Sequence, residues 1–88
     1  MRLRRPRSLH VVWDRDGEQY VVDGDRTELV VGWAQSRPAP HAMPWGWYVE
    51  EERPNVVWQC DRTGLHRLDT RPASLLARYA PYRPVRLR

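Results

Sequence analysis

Cys60, Asp61 and His66 flank one predicted turn, so a thiol, a carboxylate and an imidazole stand close in sequence. Nucleophilic catalysis draws on such a trio: a thiol activated by a base within hydrogen-bond reach, and an acid that orients the base. Cys60, however, alternates with Val56 and Trp58, and residues two apart share a strand face. That apolar face argues for a buried cysteine acting as a small hydrophobe. No Gly-rich loop stands near it to supply oxyanion donors, so the trio reads as structural and the chain as a non-enzyme.

The other polar groups lead the same way. His10, His41, His66 and Cys60 contain no closely paired ligands of the kind a structural zinc requires. Adjacent strands would be needed to gather His10, Cys60 and His66, and His10 and His66 are expected on the strand surface. Glu50-Glu51-Glu52 is expected as a solvated cluster protecting a strand end. Asp14-Arg15-Asp16-Gly17 and Asp23-Gly24-Asp25 resemble part of a calcium loop, but the glutamate that completes one is absent, so both read as turns. There is no Gly-rich phosphate cradle. The expectation is no metal and no cofactor.

The elements that position these residues are short strands. Leu9–Trp13 and Glu18–Val22 flank an Asp-Gly turn and predict a hairpin, with Leu9, Val11 and Trp13 on its core face. Thr27–Trp33 follows, with Leu29, Val31 and Trp33 on one face and Gly32 suggesting a bulge or a close backbone approach. Ser36–Pro44 holds three prolines, which exclude helix or central strand. It feeds Trp45-Gly46-Trp47-Tyr48-Val49-Glu50, in which Trp45, Trp47 and Val49 share a face and Tyr48 points the other way. Asn55–Cys60 and Leu65–Leu68 are the fifth and sixth strands. Asp69 or Thr70 is the expected N-cap of a helix that begins with Pro72 in its first turn and is stopped by Pro81. The expected fold is a β-rich α+β domain: a small antiparallel sheet or open barrel of five to six strands with one C-terminal helix.

Eighty-eight residues suit one small core. There is no Phe, so the bulk must come from five Trp, four Tyr, Val and Leu. Trp13, Trp33, Trp47 and Trp58 are expected inside. A lone cysteine excludes an intramolecular disulfide, no signal-peptide pattern opens the chain, and no apolar run approaches a membrane span. Those features predict a cytoplasmic protein without a membrane partner.

Every basic side chain is Arg. This is either a demand for planar, bidentate contacts or the mark of GC-rich coding. The ends hold eight of the fifteen arginines and no acid, leaving seven against eleven Asp and Glu over residues 8–77, a net of −4. The expected organisation is a basic arm (1–7), a compact domain (8–80) and a basic tail (81–88).

Two functions follow. Interface cores favour Trp, Tyr, Met and Arg and are poor in Lys. The composition therefore suits a non-enzymatic protein-interaction module, an adaptor, inhibitor or accessory protein. It would dock on another protein or on a second copy as a homodimer, through an aromatic sheet face and the Pro-rich loop: Trp45, Tyr48, His41 and Met43. The alternative is a small nucleic-acid-binding barrel that stacks bases on aromatics and tracks phosphate with Arg2, Arg4, Arg5, Arg7, Arg83, Arg86 and Arg88. The acidic body weighs against it, since a dedicated binder carries its positive charge on the folded face.

Overall fold

The hairpin around Asp16-Gly17 forms as its turn chemistry dictates. Leu9–Trp13 and Gln19–Asp23 pair antiparallel, from Leu9 opposite Asp23 to Trp13 opposite Gln19, with Gly17 at φ 82° in the connection. The computed structural model describes residues 1–13, 16–24 and 26–73, which form seven strands. They are β1 (Leu3–Arg4), β2 (Leu9–Trp13), β3 (Gln19–Asp23), β4 (Arg26–Arg37), β5 (Gly46–Glu50), β6 (Val57–Asp61) and β7 (Gly64–Pro72). They line up as one antiparallel sheet in the order β1-β5-β6-β7-β4-β3-β2, with β1 and β2 as the end strands. The chain packs as two compact units whose boundaries fall after Arg7, inside β4 and inside β7.

Among the described residues, one unit comprises Ser8–Val31 and the end of β7 from Thr70. Val12 lies opposite Tyr20, and Tyr20 opposite Leu29, so these three share a face. Val12, Tyr20 and Val21 are the buried apolar residues among those described here. Trp13, expected in the core, is 62% exposed. The β3–β4 pairing runs from Tyr20 to Asp23, so Gln19 and its partner Trp13 lie beyond that ladder, toward the hairpin tip.

The other unit comprises Met1–Arg7 and Gly32–Asp69. Register pairs Tyr48 with Trp58 and Cys60 with Leu65. These four form the buried cluster, against which Leu3, Ala39, Met43 and Val56 pack. Trp58 is 1% exposed and is the largest enclosed side chain, as expected. Trp47 is not its neighbour. It lies opposite Gln59 on the other face and is half-buried. The alternation within β5 is as predicted, but the register between β5 and β6 turns the Tyr48 side, not the Trp47 side, toward Trp58. Trp33, also expected inside, is 48% exposed.

Leu3 and Arg4 of the basic arm pair with Glu50 and Val49, and Glu51 N–H donates to the Arg2 carbonyl at 2.9 Å. Leu3 supplies the apolar contact that seats this short end strand. The expected helix cap does not form, since Asp69, Thr70 and Pro72 belong to β7. Among the described residues there is no α-helix. The rest of the predicted helix, residues 74–80, and the tail 81–88 lie outside the described residues.

Candidate functional site

The Pro-rich loop is built around a tight turn. Met43 N–H donates to the Pro40 carbonyl at 3.2 Å, and Ala42 adopts a left-handed φ of 61°. A non-glycine residue in that region stores of order 1 kcal/mol of strain, a feature concentrated at ligand-binding segments. The turn sends Met43 inward onto the buried cluster and leaves His41 exposed.

The next residues are held from two sides. The Tyr48 hydroxyl donates to the Pro44 carbonyl at 2.6 Å, and Arg5 Nη2 donates to the Trp45 carbonyl at 3.2 Å. The Arg5 guanidinium also lies 4.7 Å from the centre of the Tyr48 ring, in cation–π geometry. Gly46, at φ 144°, makes this approach possible, because a Cβ there would collide with Arg5 Nη1. The backbone of Trp45 is thus fixed while its side chain remains 67% exposed.

The predicted contact set therefore divides. Trp45 and His41 face solvent; Met43 is half-buried and turned inward. Tyr48, expected on a contact surface, is 7% exposed, with its ring in the core and its hydroxyl engaged by Pro44. Among the predicted phosphate-binding arginines, Arg2 pairs with Glu51 at 3.7 Å and Arg5 is committed to Trp45 and Tyr48. Arg4 and Arg7 are exposed. Arg83, Arg86 and Arg88 lie outside the described residues.

Glu50 departs from the solvated cluster expected of it. It is buried, accepts a hydrogen bond from Trp58 Nε1 at 2.9 Å, and receives Arg53 Nε and Nη2 at 3.0 and 2.8 Å. Burial pushes its carboxyl up. The Trp58 indole and the Arg53 guanidinium outweigh that, and hold it below its ordinary value. Glu51 and Glu52 are exposed as predicted.

Of the trio at the β6–β7 turn, the fold joins two members and removes the third. His66 Nε2 lies 3.4 Å from Asp61 Oδ1. Cys60 pairs with Leu65 and Gln59 with His66, so the thiol and the imidazole project from opposite faces. Two hydroxyls absent from the sequence reading complete the cluster. Thr63 Oγ1 stands 2.5 Å from Asp61 Oδ1 and 2.7 Å from His66 Nε2, and Ser36 Oγ stands 2.7 Å from His66 Nδ1. The Thr63 hydroxyl and its backbone N–H, which donates at 2.8 Å, hold the Asp61 carboxyl below its ordinary value. The indole of Trp33 lies beside His66, ring centres 5.1 Å apart. Thr63 carried a local signal, since Asp-x-Thr forms an Asx-type turn. Ser36, from β4, carried none. Among the described residues no three His, Cys, Asp or Glu side chains come together as a metal site. Nor is any helix there long and apolar enough to cross a membrane.

No protein-family model matches this chain, and no curated protein or solved structure matches it either.

Proposed function

We propose that this protein is a non-enzymatic interaction module that docks on a partner protein through Trp45 and the Pro-rich loop. One observation carries the reading: Trp45 is exposed, yet its backbone is tied down by Arg5 and by the Tyr48–Pro44 hydrogen bond. An aromatic anchor that is rigid before binding loses little conformational entropy on docking, which is what distinguishes a hot spot from an incidental exposed ring. His41 adds a polar contact on the same loop, and Ala42 holds the loop in a strained turn.

A second copy of the chain is one partner such a surface would accept. The test is light scattering coupled to size exclusion at low and high salt, together with crosslinked capture compared between wild type and Trp45→Ala. A dimer or a captured protein that is retained at high salt and lost in Trp45→Ala supports the reading. Complexes indifferent to Trp45→Ala reject it.

The nucleic-acid alternative rests on Arg2, Arg4, Arg5 and Arg7, all of which are exposed. Arg5 is engaged by Trp45 and Tyr48, which weakens that alternative, whereas the Arg2–Glu51 pair lies at the surface and leaves Arg2 accessible. It would appear in the same experiment as an oligonucleotide complex that dissolves steeply with salt.

A further inference from the structure

The Ser36–His66–Thr63–Asp61 cluster has a direction that donor counting fixes. Asp61, held below its ordinary carboxyl value, is an acceptor only. The single hydroxyl hydrogen of Thr63 therefore points to Asp61 Oδ1, at 2.5 Å. Toward His66 Nε2, at 2.7 Å, Thr63 Oγ1 must then accept, so Nε2 carries the hydrogen. In the neutral ring this leaves Nδ1 bare, and the Ser36 hydroxyl donates to it at 2.7 Å. The chain runs Ser36 O–H to His66, His66 N–H to Thr63, and Thr63 O–H to a carboxylate. A base is thereby aimed at a serine, and an acid stabilises the imidazolium that forms when that base takes a proton. These are the roles a nucleophilic serine requires, with the two ring nitrogens exchanged relative to the common arrangement.

Accessibility matches the roles. Ser36 is exposed, while the His66 side chain is largely enclosed and flanked by the Trp33 indole, which is itself half open to solvent. An apolar group brought to Ser36 would find that indole beside it.

We infer that Ser36 is a nucleophilic hydroxyl that accepts a short acyl group from an activated ester, with His66 as its general base. Ser36 Oγ attacks the ester carbonyl carbon while its proton passes to His66 Nδ1. The carbon–oxygen bond to the leaving group breaks, the departing alkoxide or aryl oxide takes that proton, and Ser36 is left as an ester. Nothing is oxidised or reduced. The inference concerns acylation of Ser36 itself and stands apart from the docking role of Trp45.

The probe is p-nitrophenyl acetate, with release of p-nitrophenol followed by absorbance and the acetyl group located by peptide mass mapping. The expected result is one acetyl on Ser36, absent in Ser36→Ala. His66→Gln should slow the reaction about 10²–10⁴-fold, the range general-base assistance supplies. Thr63→Val, at an exposed turn, should slow it less. The native chain should also acetylate Ser36 far faster than the same chain in urea, a comparison that needs no variant. Acetylation confined to other nucleophiles, or a Ser36 rate equal in native and urea-unfolded chain, overturns the inference.

Discussion

Trp58 donates its indole N–H to Glu50 at 2.9 Å, so the largest side chain in the core and the buried carboxylate satisfy one another. Arg53 closes the other carboxylate oxygen with two donors. A polar pair is thus built into a β-rich core that has no Phe, and Trp58 is both packing and donor. Buried polar groups of this kind cost most when one partner is removed.

Glu50→Ala leaves the Trp58 N–H without its acceptor and should lower stability by about 1–3 kcal/mol. Glu50→Gln keeps an acceptor and should cost less. Because the Glu50 carboxyl is held below its ordinary value of 4.5, its stabilisation is complete above that pH and is lost as pH falls through the folded-state value. Urea midpoints measured from pH 7 downward should therefore decline below about pH 4.5, and the decline should be shallower in Glu50→Gln.

Arg5→Ala removes the donor to the Trp45 carbonyl and the cation over Tyr48. A loss of about 0.5–1.5 kcal/mol is expected, with faster amide exchange at Gly46 and Trp47 than in wild type. Unchanged exchange there would mean that Arg5 does not hold the loop.

Gly64→Ala should be among the costlier small substitutions. A Cβ at Gly64 would sit 2.6 Å from the Arg37 carbonyl oxygen, which is backbone, and φ there is 130°. Strain of this kind is of order 1–3 kcal/mol, to be read from chemical denaturation. Gly46→Ala meets the mobile end of Arg5 instead, and should cost less while loosening the Trp45 anchor.

Trp58→Ala and Trp45→Ala should separate stability from binding. The first empties the core and should cost about 3–5 kcal/mol. The second removes an exposed ring and should change stability by less than about 0.5 kcal/mol, while weakening partner binding by at least about 2 kcal/mol, roughly 30-fold, if Trp45 is the anchor. Equal effects of the two variants on folding would place Trp45 in the core and end the docking reading.

The sequence by itself determined the strand periods, the Asp-Gly hairpin and the nonhelical Pro-rich loop, because each follows from local φ/ψ limits and two-residue alternation. It also brought Asp61 beside His66, since a single turn links them. Tertiary structure decided what alternation leaves open. Shifting a strand's register by one residue exchanges its faces, and the β5–β6 register is what buried Tyr48 and left Trp47 half-covered. The end of the β3–β4 ladder is what exposed Trp13. Glu50 and Trp58 met only when β5 and β6 paired, which turned an apparent solvated acid into a buried one. Ser36 reached His66 across thirty residues of chain. No local preference encodes such a contact, because it depends on which strands become neighbours.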